Sequence, residues 1–127
     1  MKILIKNGRL VDPASGLDQV GDLAITSGRI SAIGQPNADF AADRVIDATG
    51  KIVVPGLVDL AARLREPGHE HEGMLESELA AAAAGGVTSV VCLPDTDPTL
   101  DEPGLVEMLK LRARKLSRCR LFPLGAL

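Results

Sequence analysis

Pro55-Gly56-Leu57-Val58-Asp59-Leu60-Ala61-Ala62-Arg63-Leu64-Arg65-Glu66-Pro67-Gly68 is the stretch that decides the fold. Leu57, Val58, Leu60, Ala61, Ala62 and Leu64 make it apolar at nearly every position. That pattern predicts a strand covered on both faces, as in a parallel sheet. Pro55-Gly56 opens the run and Pro67-Gly68 closes it. Side chains alternate along a strand, so Leu57, Asp59, Ala61, Arg63 and Arg65 are expected on one face. Three of those five are charged, and charge is seldom buried without a partner. Such a face belongs to a site, or to the remains of one.

Downstream, the pattern alternates strand, helix, strand, helix, strand, which implies βαβ units and a parallel sheet. Met74, Leu75 and Leu79 lead into Ala80 to Ala84, so a helix is predicted over Met74 to Ala84. Gly85 is expected to end it. Val87 to Leu93 reads as the second strand. Asp101 is the expected N-cap of a second helix with Pro103 in its first turn. Leu105, Met108, Leu109 and Leu116 form its predicted buried stripe. Lys110, Arg112, Arg114 and Lys115 form its solvated side and positive end. A third strand is expected from Arg120 to Leu127. Upstream, residues 1–54 read as a small all-β module. Ile3 and Ile5 alternate with Lys2 and Lys6, and Asn7-Gly8 is expected to turn the chain into a strand at Arg9 to Asp12. Ala14 to Gln19 reads as a polar loop. Ser27-Gly28 joins Asp22–Thr26 and Arg29–Ile33 as a hairpin, and Arg44 to Asp47 is a further strand. Residues 55–127 thus read as one βαβαβ run.

Composition excludes several classes. The net charge is −3, which argues against electrostatic nucleic-acid binding. With no Trp, no Tyr and two Phe there is no stacking platform for single strands. No apolar run approaches the ~20 residues of a membrane helix, and Met1 to Lys6 reads as a strand rather than a leader. A cytoplasmic protein is expected. Cys92 and Cys119 lie in apolar strand-like runs and read as core residues, not a disulfide. There is no Gly-x-Ser-x-Gly, no phosphate-binding glycine loop and no Cys/His pair at a useful spacing. His69-Glu70-His71 has ligand-like i, i+2 spacing. It follows Pro67-Gly68 in a polar loop, however, and a zinc site needs three or four converging ligands. Exposed loop residues are the preferred reading.

Ile46-Asp47-Ala48-Thr49-Gly50-Lys51-Ile52-Val53-Val54-Pro55-Gly56-Leu57-Val58-Asp59 resembles the opening segment of the cyclic amidohydrolases. Leu64-Arg65-Glu66-Pro67-Gly68 narrows the resemblance to the dihydroorotases. Gly85-Gly86-Val87-Thr88-Ser89-Val90 and Leu93-Pro94-Asp95-Thr96-Asp97-Pro98 match two further motifs of that family, in order and at the right spacing. The resemblance implies an α/β fold: a metal-dependent-hydrolase (β/α)₈ barrel, of which residues 55–127 are expected to be the first βαβαβ part, preceded by a small β-sandwich module that C-terminal strands complete. A whole (β/α)₈ barrel takes roughly 250 residues, and the sequence has 127, so a fragment is expected.

It also implies zinc-ligating His-x-His after the strand aspartate, where this sequence has Ala61 and Arg63. Alanine has no lone pair to give, and arginine keeps its proton and repels a cation. By resemblance Arg65 matches the arginine that pairs with the dihydroorotate carboxylate, and Asp95 replaces an asparagine beside it. A carboxylate there repels the substrate and is expected to pair with Arg65. Simpler readings give Arg65 a salt bridge to Glu66 or Asp59, and make Asp95 a cap on backbone amides. Asp59 is expected to pair with Arg63 or with backbone amides. Arg63 either projects where relatives hold metal or points to solvent. Glu72 and Gly73 stand where dihydroorotases often carry Lys-Glu.

The resemblance therefore implies a protein with no catalytic residues and no cofactor, zinc being that of active relatives. Its implied partner is the aspartate carbamoyltransferase catalytic chain, in a hetero-oligomer of pyrimidine biosynthesis. No nucleic acid or membrane is expected as a partner. The alternative is an active zinc-dependent dihydroorotase or hydantoinase-like hydrolase with ligands outside this segment.

Overall fold

Strand β1 (Lys2–Asp12) is the spine of the amino-terminal part in the computed structural model, which describes residues 1–126. It pairs antiparallel with β2 (Leu17–Thr26), which pairs antiparallel with β3 (Arg29–Ile33). On its other side β1 runs parallel to β4 (Arg44–Asp47) and β5 (Ile52–Val53). One five-stranded sheet results. The expected hairpin is present: Ser27 and Gly28 have φ of 51° and 75°. Two positive φ values match the twist of the flanking strands.

The expected reversal at Asn7-Gly8 does not occur. The strand continues through a bulge, with its register on β2 shifting between Ile5 and Gly8. Asn7 sits at φ 61° and donates its backbone N–H to Asp22 at 3.0 Å, so the extra residue stays satisfied. The expected loop from Ala14 to Gln19 is also shorter, because β2 begins at Leu17. Arg9 holds Asp18 across the two strands at 2.6 Å, which carries the ladder further toward the turn.

The chain divides into two compact units, the first being Met1–Pro55 and the second beginning at Gly56. The second is a βαβαβ run: β6 (Leu57–Ala62), α1 (Leu75–Ala84), β7 (Val87–Cys92), α2 (Pro103–Leu116) and β8 (Arg120–Pro123). The three strands are parallel in the order β6-β7-β8. Leu64, Leu75, Leu79, Val90, Leu100 and Leu109 form a buried core between sheet and helices. The α/β class therefore holds, and the alternation forms the expected βαβ units on a parallel sheet.

Four local expectations change. Strand β6 is not covered on both faces: Leu57, Val58 and Leu60 are 55%, 59% and 71% exposed. Among the described residues it has a strand neighbour on one side only, and α1 packs on β7. The N-cap of α2 is Glu102, not Asp101, because Asp101 donates its N–H to Thr99 in the preceding turn at 2.9 Å. Its buried stripe is Leu109 and Ala113, with Leu105 and Leu116 packed beside it and Met108 exposed. The third strand, expected from Arg120 to Leu127, ends at Pro123, and beyond it Leu124 and Ala126 donate their N–H groups to Cys92 and Leu100. Gly85 caps α1 as expected, and the left-handed position falls on the following Gly86 at φ 86°. Leu127 lies outside the described residues. Both cysteines are free; Cys92 is buried and Cys119 half-buried.

Candidate functional site

The carboxyl ends of parallel strands carry the sites of barrel proteins, and the second unit gathers its charge there. Strand β6 ends at Ala62 and β7 at Cys92. The segments that follow run side by side: Leu93 donates its N–H to Ala62, and Asp97 to Pro67. Arg63 and Asp95 thereby meet, with Arg63 Nε 3.1 Å from Asp95 Oδ2. Arg65 Nη1 lies 3.1 Å from Glu72 Oε2. Arg65 thus pairs with none of its expected partners Asp95, Glu66 or Asp59. Asp59 does not take Arg63 either; its carboxylate accepts the backbone N–H of Ala61 at 2.9 Å.

The crossed pairing has a backbone cause. Glu66 donates its N–H to the Leu64 carbonyl at 2.8 Å, and Arg65 between them has φ 65°. This is a γ-turn of the rare positive-φ kind, strained for a residue with a Cβ. Strand alternation stops there, so Arg65 leaves the face it would have shared with Arg63 and reaches Glu72 instead. Gly68 follows at φ 98°, where a Cβ would stand 2.2 Å from the Asp97 carbonyl oxygen. Only glycine lets the two loops close on each other at this point.

Beneath the turn, Glu66 is 1% exposed. Its Oε2 accepts the N–H of Leu75, the first residue of α1, at 2.9 Å. Its Oε1 forms an ion pair with Arg112 of α2. Arg112 is exposed, as expected of the solvated side of α2, and its guanidinium also reaches the buried carboxylate. Sequence reading missed this role of Glu66. The signal was at Met74, an N-cap residue whose side chain forms no cap hydrogen bond, which leaves the helix start to be capped from elsewhere. A carboxylate suits that end of the helix dipole.

The histidine loop enters this arrangement through Glu72, and the two histidines stand beside it. His69 and His71 have ring centroids 6.2 Å apart and tilted by 59°. His71 is 3.8 Å from Glu72. Glu70 accepts the N–H of Gly68 at 3.0 Å. Its carboxyl is held below the usual range by its own backbone N–H and that of Gly68. Among the described residues no three His, Cys, Asp or Glu side chains converge as a metal centre would require. At the strand end the donor set does not fit a divalent ion: Ala61 offers no donor, and Arg63 brings a cation already paired with Asp95.

A parallel βα sheet with its charged groups at the carboxyl ends is the arrangement of a (β/α)₈ barrel site. In the solved structures the chain is similar to the L-hydantoinase (dihydropyrimidinase) of Arthrobacter aurescens, with a TM-score of 0.84 and 29% identity over 97% of this chain and 27% of that one. A D-hydantoinase matches with a TM-score of 0.65 at 28% identity, over 94% of this chain and 25% of that one. The dihydro-orotase-like family profile matches residues 50–127. The chain belongs to that family. Over all 127 residues it is 50% identical to a dihydroorotase-like protein of Pseudomonas aeruginosa, covering 30% of that protein. It is 45% identical to a dihydroorotase of Solibacter usitatus, covering 29% of it. The chain thus spans about 30% of the length of the curated relatives it matches.

Proposed function

We propose that this chain is part of a non-catalytic dihydroorotase-like protein that supports assembly of aspartate carbamoyltransferase in pyrimidine biosynthesis. One observation carries the loss of catalysis. The positions that the resemblance assigns to a metal-binding His-x-His hold Ala61 and Arg63, and Arg63 forms an ion pair with Asp95. A metal-bound water is the nucleophile of cyclic-amide hydrolysis. Removing two ligands, and placing a guanidinium beside them, opposes binding of the ion that generates it. The rest of the barrel frame is independent of that chemistry, because packing and site residues are separable. Such a frame can persist for partner contact alone. The match to a dihydroorotase-like protein of Pseudomonas aeruginosa supports this reading.

The identity to a chain called dihydroorotase favours the rival, an active hydrolase with zinc held by residues outside this segment. Two measurements separate them on the purified natural-length protein. Dihydroorotate hydrolysis with added zinc is expected to be undetectable, and turnover near the enzyme median of ~10 per second would establish the rival. Elemental analysis is expected to show zinc far below one ion per chain. Co-purification with the aspartate carbamoyltransferase catalytic chain tests the assembly role, and its failure under conditions where both chains are folded would remove it.

A further inference from the structure

We infer that Asp95 is a built-in occupant of the cation at the strand ends, so that the site refuses small carboxylate ligands. The inference rests on the reading of the chain as non-catalytic and says what the remaining site does with an anion. Two arginines, Arg63 and Arg65, stand just past the carboxyl end of β6. Each has one carboxylate oxygen at 3.1 Å, from Asp95 and Glu72 respectively. The four formal charges cancel, and neither guanidinium is left in excess to attract a ligand.

The two acids differ in how firmly they are placed. Asp95 has a short side chain on a segment pinned at both sides. Leu93 donates its N–H to Ala62 at 3.2 Å, and Asp97 donates its own to Pro67 at 3.0 Å. Between them, Thr96 is 7% exposed, and its hydroxyl donates to the Pro98 carbonyl at 2.9 Å. Asp95 therefore reaches Arg63 with little freedom left to lose. Glu72 has a longer side chain with more freedom to lose, and it lies in the exposed histidine loop. A carboxylate ligand that approaches Arg63 must displace a fixed negative charge or sit against it, and both are unfavourable. Neutralising Asp95 removes the competitor and leaves the guanidinium in place for a planar carboxylate.

Orotate is the probe, with uracil as the same ring without the carboxylate. Both are titrated calorimetrically into the purified natural-length protein and its variants. The unchanged protein is expected to show no saturable heat at millimolar orotate. Asp95→Asn is expected to bind orotate at least about tenfold more tightly and uracil no better than before. The double variant R63A/D95N is expected to lose that gain. Asp95 is exposed, so the fold should survive its replacement; thermal melting checks this, and Asp95→Ser gives the same readout if Asp95→Asn does not fold. Four results would overturn the inference: saturable orotate binding by the unchanged protein, no gain in either Asp95 variant, a gain that survives loss of Arg63, or an equal gain for uracil. Hydrolysis of dihydroorotate by the unchanged protein would instead overturn the non-catalytic reading, a separate outcome in a separate assay.

Discussion

Glu66 carries the strongest residue-level consequence, because it is the one charged side chain that the described residues bury. A buried carboxylate tolerates its surroundings only while its partners remain. Arg112→Ala is expected to destabilise the protein by roughly 3 kcal/mol, read from the urea midpoint at an unchanged slope. Replacing both partners, as in E66Q/R112M, should recover much of that loss, since no unpaired charge is then buried. By contrast the Arg63–Asp95 pair, with side chains 61% and 41% exposed, should contribute no more than about 1 kcal/mol. Gly68→Ala meets both a left-handed backbone and the Asp97 carbonyl, and should cost about 1–3 kcal/mol in the same measurement. Alternation put Arg63 and Arg65 on one face, but Arg65 pairs with Glu72 and not with Asp95, Glu66 or Asp59. Nothing in the identity of Arg65 signals a positive φ. That conformation is imposed by the turn and by Glu66 below it, which are tertiary facts.

At the scale of elements, hydrophobic pattern and turn chemistry located the helices and most strands, because those signals are local. Leu75 to Ala84, Val87 to Cys92 and the Ser27-Gly28 hairpin follow from their own residues. The errors arose where a distant contact decides a boundary. The Asn7 bulge depends on Asp22, and the start of β2 on the Arg9–Asp18 pair. The two thiols give an element-level test. Burial pushes the Cys92 thiol up, and the lesser burial of Cys119 pushes it up as well. Both should react more slowly with a thiol reagent at mildly alkaline pH than an unfolded cysteine does. Cys92, enclosed within β7, should be the slower of the two and should wait on opening of the second unit. Equal rates for both would contradict the packing of β7 against the helices.

For the whole molecule, the motifs shared with the family run through the sequence in order and were legible there. The ion pairs Arg63–Asp95 and Arg65–Glu72 were not legible there, since the partner of each arginine depends on how two loops fold. Charge also sets an expected response to acid. In the first unit Asp18 is held below its usual range by its hydrogen bond and charge contact with Arg9. Asp47 is held low chiefly by Thr49, and Asp12 by Ser15 and the Ala14 N–H. A carboxyl whose folded value is depressed stabilises the fold above its unfolded value, here near 3.8. That contribution fades as pH falls through the folded value. Thermal midpoints should therefore be flat with respect to these groups from about pH 6 to 8 and drop below about pH 4. Asp18→Asn should flatten part of that acid limb. No helix among the described residues is long and apolar enough to cross a membrane.

The carboxylate of Glu66 seated on the Leu75 amide has one more consequence. Amides in the first turn of a helix ordinarily lack an internal acceptor and trade hydrogen for deuterium quickly. This one is sealed by a side chain that also grips α2, so its isotope uptake should be as slow as that of the α1 interior and should accelerate sharply in R112A. A single nuclear resonance would then report when strand end, first helix and second helix part company.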